Sequence, residues 1–539
     1  MTPTAPPAPA SGTPVTVPAS EANSTRTQAN TTPAEFLAEL TSFAQQKGFI
    51  WGPSPEIYGG LSGFYDYGPL GKLLKNNVEK AIKDTFQVND FWDVECPTVM
   101  PAKVWEASGH LGGFSDPLIV CSKCKANFRV DKLLEELYPD KQVKPENHLS
   151  FIESEGIVCP SCQGDFVKEI KKHSLMMKTT IGLDITAYNR PETATTTYLP
   201  FLRYFEFFRK KLPFGVFQIG KAYRNEISPR QFVLRMREFT QAEGQLFIFA
   251  DQKASFEQFS RCKDDTLPLW NHKLQESGGE TRTITVEQAL AEGDFKNQAY
   301  AYTVWLATKL FTNAGISPER IRLRQHAMNE RAFYADDAWD IEVNLNSFGW
   351  TEMCGVHDRT TYDLSQHAKF SGKDLSVSDE THKKEIPHVL EIAFGVDRMV
   401  YSLLDNFYNP HDIKEGKTTF HIPAALAPIK VCVFPLMKKD GLAEAAYSIY
   451  EELSKSFVCR YDTSGSVGRR YLRAAEEGTP YCVTVDYQTK EDGTVTLRDR
   501  DTEAQVRLNA SDLRATLNDL FFGIKTFSEA GTPVEKKSE

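Results

Sequence analysis

An α+β fold, with an antiparallel sheet flanked by helices and a smaller C-terminal α/β domain, is predicted by three features of this 539-residue chain. From His173 to Phe249, aromatic and β-branched stretches alternate with turns, as in antiparallel strands. The text from Trp339 to Leu364 returns to the same alternation. Beyond Pro423 and Pro428, the segments KVCVFPL, AYSIYEELSKSF, GRRYLRAAEEG and YCVTVDY suit a strand–helix–strand–helix–strand order and a largely parallel or mixed sheet. A chain of this length exceeds what one core supports, so two to four domains are expected.

Residues 1 to 32 are rich in Pro, Ala, Ser and Thr and nearly free of aromatics, and are read as a disordered tail. A transit peptide is the rival, disfavoured because Arg26 is the only basic residue there. PAEFLAELTSFAQQKG places Phe36, Leu37, Leu40 and Phe43 at helical spacing and ends at Gly48. After the glycine-rich run Ile57 to Gly71, a second helix carries Leu74, Val78, Ile82 and Phe86 on one side. Asp90 to Pro101 reads as a strand. Between about Ile119 and Lys171, paired cysteines and Pro/Gly punctuation suggest a small inserted module. Residues 250 to about 320 suggest a mainly helical insertion, and Ser371 to Glu385 a mobile loop. The expected division is 33–425 for the main domain, 426–527 for the second and 528–539 for a loose tail.

A formal net charge of −10 argues against nonspecific nucleic-acid binding, so any RNA contact must be local. No run of about 18 apolar residues and no signal-like start are present, which leads us to expect a cytoplasmic protein with no membrane partner. Ten cysteines in so long a chain do not suggest a disulfide framework. The pairs Cys121/Cys124 and Cys159/Cys162 instead have the Cys-x-x-Cys spacing of a structural Zn²⁺ site, although the 34 residues between them exceed the usual gap. Four thiolates would leave no open position for catalysis.

The chemistry concentrates in AYRNEISPR (Ala222 to Arg230) and LRMREFTQAEGQLF (Leu234 to Phe247), read as two strands joined by a loop. Arg224 can neutralise a phosphate beside a substrate carboxylate. Glu226 can accept from an adenine amino group or an RNA end, Phe239 can stack on a base, and Arg230 and Arg237 add phosphate donors. Further on, LEIAFGVDRMVY places Gly395 and Arg398 at the start of a helix, which makes an anion site. These stretches resemble motifs 2 and 3 of class II aminoacyl-tRNA synthetases, and Pro97 of VECPTV resembles the motif 1 proline at a dimer-forming strand.

The resemblance narrows to the glycyl-tRNA synthetases through IYGGLSGFYDYGPLG, VWEASGH, FRVD, RPETA, GWTE and PHVLE, and covers nearly the whole chain from Phe36 to about Phe527. It implies a class II core with a C-terminal anticodon-binding domain. It also implies ATP and Mg²⁺ as cofactors, glycine and tRNA(Gly) as partners, and a homodimer. For the nucleotide it implies Arg224, Asn225, Glu226, Leu234, Arg237, Phe239, Glu352, Met353, Gly395 and Arg398, of which Arg224, Glu226 and Arg398 would be catalytic and Glu352 would help hold Mg²⁺. For glycine it implies Arg129, Glu192, Phe239, Gln241, Glu243, Glu391 and Ala393. Such a pocket has a physical basis, because glycine offers only its charges for affinity, and selectivity must come from having no room for a methyl group.

The sequence departs from the family where Glu391 is followed by Ile392 and Ala393 rather than Pro-Ser, and where RPETA continues as TTTYLPF. In the second domain, Arg469, Arg470 and Arg473 suggest a basic helical edge for RNA. The alternatives are a synthetase for another small amino acid and a non-catalytic RNA-binding paralogue.

Overall fold

The structure is a computed structural model that describes residues 32–534 apart from 139, 140, 142, 228, 230, 329, 332, 333, 380, 382 and 410–418. The N-terminal segment up to residue 31, the last five residues and Arg230 therefore lie outside the described residues.

Helix Pro33–Gln46 begins at a capping box, in which the Glu35 N–H donates to the Thr32 hydroxyl and the Thr32 N–H to the Glu35 carboxylate. Its Phe36, Leu40 and Phe43 are buried. Helix Pro69–Val88 likewise buries Leu74, Val78, Ile82 and Phe86 on one face, with Phe86 stacked on Phe217 of the main sheet at 4.7 Å. Gly244 allows this approach, since a Cβ there would lie 2.6 Å from the Phe86 ring.

Among the described residues, nine strands form the main sheet in the order Arg282–Thr285, Thr266–Trp270, Ile321–Gln325, Asp337–Leu345, Gly349–Asp358, His388–Gly395, Glu238–Ile248, Phe214–Tyr223 and Phe91–Asp93. All neighbours are antiparallel except Phe91–Asp93 beside Phe214–Tyr223 and Thr266–Trp270 beside Ile321–Gln325. The register sets Glu243 opposite Ala393, and Ala393 opposite Gly355. Side chains alternate along a strand, so Phe239, Gln241, Glu243, Glu391 and Ala393 share one face. Helix Gln298–Asn313, nearly all of it buried, covers the other.

Four sequence expectations are corrected. Residues 250–320 are not a separate insertion: Thr266–Trp270 and Arg282–Thr285 extend the main sheet, and Gln298–Asn313 packs in its core. Asp90 to Pro101 divides into Phe91–Asp93 and Val99–Pro101, strands of different sheets, with Pro97 exposed between them. The loose tail does not begin at 528, because Thr532 and Pro533 pair with Arg507 and Val506. The run from His173 to Phe249 is also interrupted by helices Ala194–Tyr198 and Phe201–Phe207.

The cysteine-bearing stretch builds a three-stranded sheet of its own from Ser115–Cys121, Asn127–Arg129 and Phe166–Ser174, around Ile119, Leu133, Leu134 and Ile152. The C-terminal sheet is mixed, with Cys459–Tyr461, Val431–Pro435 and Tyr481–Val485 parallel and the remaining strands antiparallel.

Candidate active site

A cavity of about 540 Å³ opens on the polar face of the main sheet. Strand His388–Gly395 runs along it, carrying Glu391 and then Gly395, about 13 Å apart at the rise of an extended strand. It joins an acidic end to a basic one.

At the acidic end, Glu192, Glu243 and Glu391 all face the cavity. Glu391 is buried and accepts from Arg359 Nη1 at 3.0 and 3.3 Å, and from the Tyr198 hydroxyl at 3.3 Å. His357 Nδ1 lies 3.2 Å from it. Burial pushes its pKa up, but the Arg359 guanidinium and His357 more than offset this and hold it below the usual carboxylate range. Glu192 accepts from Thr195 Oγ1 at 2.8 Å and lies 3.5 Å from His110 Nε2. Burial opposes its charge, yet His110, Arg359 and Thr195 keep it ionised well below its ordinary value. Glu243 differs, because its hydrogen-bond partners are the neutral Thr193 hydroxyl at 2.7 Å and the Gln241 amide. Burial first, then the negative Glu192 and Glu391, raise its pKa well above the carboxylate range.

At the basic end, helix Val396–Phe407 starts at Gly395, and Arg398 in its first turn donates to the carbonyls of Leu234 at 3.3 Å and Glu352 at 3.0 Å. Arg224 lies over the Phe114 and Phe239 rings, 5.4 Å from each centroid, and its Nε donates to the Pro191 carbonyl. Glu226, Leu234 and Met353 also line the cavity, as does Glu352, whose carboxylate is 60% exposed and lies 3.7 Å from Arg398 Nη1. Arg129 reaches the cavity from the cysteine-bearing module, held by Asp116 at 3.2 Å and Asp131 at 2.5 Å.

Two expected nucleotide residues do not face the cavity. Arg237 spends its guanidinium on the carbonyls of Ser62, Glu226 and Ile227, closing the loop between the strands. Asn225 turns toward the module, its amide 3.5 Å from the Ser174 carbonyl and its own carbonyl accepting from His173. Arg235, two residues before Arg237 at the end of the connecting loop, lines the cavity instead.

Sequence reasoning also missed His110, Arg359, His357, Tyr198 and the His326–Asp340 pair at 2.6 Å, all within reach of the cavity. The TTTYLPF stretch that departs from the family supplies Thr195 and Tyr198, partners of Glu192 and Glu391.

The four cysteine sulfurs 121, 124, 159 and 162 lie within 4.8 Å of one another. Tetrahedral thiolate ligation at about 2.3 Å needs sulfurs about 3.8 Å apart, so the set fits a Zn²⁺ ion. In the C-terminal domain the basic edge is not formed. Arg470 is buried and donates to the Pro435 and Gly465 carbonyls, and Arg473 pairs with Asp462 at 2.6 Å. Arg469 remains exposed.

Residues 188–407 match the tRNA synthetase class II core domain described for G, H, P, S and T, and residues 430–520 match the anticodon binding domain. The chain is 38% identical to the glycine–tRNA ligase of Methanothrix thermoacetophila, with 92% of this chain and 99% of that protein covered. It is 40% identical to that of Thermococcus kodakarensis, with 90% and 98% covered, and 39% identical to that of Pyrococcus furiosus, with 91% and 99% covered.

Proposed function

Because this chain belongs to the glycine–tRNA ligase family of class II aminoacyl-tRNA synthetases, we propose that its cavity activates glycine with ATP and passes it to the 3′ end of tRNA(Gly). The observation that carries the assignment of groups is the polarity of the cavity, with three carboxylates at one end, Glu243 and Glu391 buried and Glu192 half-buried, and guanidinium groups at the other. Glycine's ammonium would sit among Glu192, Glu243 and Glu391, with Gln241 and Ala393 leaving no room for a side chain. Its carboxylate would point toward Arg129 and Arg224. ATP would stack its adenine on Phe239, with Glu226 accepting from the amino group and Arg224, Arg235 and Arg398 on the phosphates.

The glycine carboxylate then forms a bond to the α-phosphorus of ATP as the bond to pyrophosphate breaks. A ribose hydroxyl of the RNA next attacks the activated carbonyl, loses its proton and releases AMP. Positioning and charge neutralisation supply the rate, and no protein nucleophile is required. The Glu352 carboxylate, a hard oxygen donor beside the basic end, suits Mg²⁺, which would neutralise phosphate charge. Cys121, Cys124, Cys159 and Cys162 would hold Zn²⁺ as a structural ion.

In the anticodon domain, Arg469 is the surviving candidate among the three arginines for RNA contact. A homodimer is supported by the exposed Val88, Trp92 and Phe207 beside the edge strand Phe91–Asp93, where the Trp92 and Phe207 rings touch at 5.4 Å. No helix among the described residues is long and apolar enough to cross a membrane, and the proposed activity belongs to cytoplasmic translation. Pyrophosphate exchange measured across the amino acids tests the reading. Exchange with glycine alone is expected, and exchange with alanine but not glycine would overturn it.

A further inference from the structure

In the cavity wall, which Asp397 itself lines, is an ion pair that the proposed chemistry does not use. Lys75, on helix Pro69–Val88, and Asp397, in the first turn of helix Val396–Phe407, are both nearly fully buried. Lys75 Nζ donates to Asp397 Oδ1 at 2.5 Å and to Thr240 Oγ1 at 2.7 Å, and sits 4.5 Å from the Tyr67 ring centroid. The Tyr67 hydroxyl donates to the same Asp397 oxygen at 2.6 Å. Asp397 Oδ2 accepts the backbone N–H of Thr240 at 2.5 Å. One carboxylate thus takes three donors, from a helix, a short strand and the central strand of the site.

Its neighbours in sequence explain why this matters. Asp397 adjoins Arg398, and Thr240 stands between Phe239 and Gln241, so each anchored residue abuts cavity-lining groups. Gly395, which caps the helix, has no side chain to fix its start. The Asp397 carboxylate therefore sets how that helix end sits against strand Glu238–Ile248, and with it the aim of Arg398. A carboxylate with one backbone and one hydroxyl donor could still tilt about them. The Lys75 ammonium, anchored to a different helix, removes that freedom.

We propose that Lys75 is a positioning residue for ATP, acting through Asp397 on the placement of Arg398. This rests on the reading that Arg398 holds the nucleotide phosphates. Retaining the ion pair in the interior costs desolvation, as the lowered pKa of Lys75, which burial causes and Asp397 only partly offsets, indicates. A pair kept at such a cost for packing alone could be replaced by apolar residues of similar volume.

The test is a cycle of Lys75→Met and Arg398→Ala, read as the KM for ATP and for glycine in pyrophosphate exchange. Lys75→Met is expected to raise the ATP KM about tenfold, with the glycine KM changed less than about twofold. In the Arg398→Ala background the same substitution should add less than about twofold, because there is no guanidinium left to aim. Equal effects in both backgrounds, or a parallel rise in the glycine KM, would overturn the inference while leaving the site reading intact. An Arg398→Ala enzyme with an unchanged ATP KM would overturn the reading, and the inference with it. Should Lys75→Met fail to fold, Tyr67→Phe removes a single donor from Asp397 and must show the same dependence on Arg398, at about two- to threefold.

Discussion

Arg359 Nη1 lies 3.0 Å from Glu391 Oε2, while the rest of its guanidinium is bidentate to Asp363 at 2.7 and 2.8 Å. The cation thereby neutralises one carboxylate of the acidic end and fixes another behind it. With its charge and position set, Glu391 can face a substrate ammonium without being reoriented by it.

Replacing Arg359 by Met leaves Glu391 and Asp363 buried with no guanidinium between them. Loss of one partner from a buried charge pair costs about 3–5 kcal/mol, which chemical denaturation will read directly. A rise of the glycine KM in whatever fraction folds is expected alongside it. A variant as stable as the wild type would contradict the role given to Arg359.

Glu243 should make the enzyme's stability depend on pH in an unusual direction. Its pKa in the folded chain is raised well above the ordinary 4.5, so the folded state binds a proton that the unfolded state has released. Stability relative to Glu243→Gln is therefore highest below about pH 4.5 and falls as pH climbs from there toward the raised folded value. Urea unfolding of both proteins at pH 5 and pH 8 checks this, and a difference that does not change with pH would refute it.

Metal analysis of the purified protein is expected to give about one zinc per chain, lost in Cys121→Ser. Because Arg129 stands on the same small sheet as Cys121, chelation should also expose residues 115–174 to limited proteolysis and weaken glycine binding. Full protection from protease after the metal is removed would separate the module's fold from its sulfurs.

In the C-terminal domain, Arg470→Ala and Arg469→Ala should part company. The first strands the Pro435 and Gly465 carbonyls and is expected to cost about 2 kcal/mol of stability. The second, on an exposed side chain, should leave stability unchanged and lower affinity for RNA by a salt-dependent factor. Thermal unfolding and filter binding at two salt concentrations distinguish them.

Much of this molecule is legible in local sequence because local chemistry set it. The hairpin of Phe214–Tyr223 and Glu238–Ile248, the helix opening at Gly395 and the paired cysteines each follow from residues close together in the chain. Glu192, Glu243 and Glu391 were reached through resemblance, and the register that gathers them is not readable from spacing. What stayed hidden depends on distant partners. Arg359 and His357 bear on Glu391 only because two strands pair, and nothing near either residue announces it. Arg235 and Arg237 differ by two positions, and only the path of the loop decides which one reaches the cavity. Arg470 reads as a surface charge in a basic run, yet its helix turns it inward onto backbone carbonyls. The strands within 250–320 were masked by the helices around them, since short strands at a sheet edge carry little periodicity.

Ser115 and Asp116 line the substrate chamber and open the strand that ends in Cys121. Part of the chamber's wall is thus tethered to sulfur chemistry, and Cys124, the exposed one of the four thiols, offers oxidants a handle on it. Damage there would loosen the seat of the amino acid while every group that touches it stayed chemically intact.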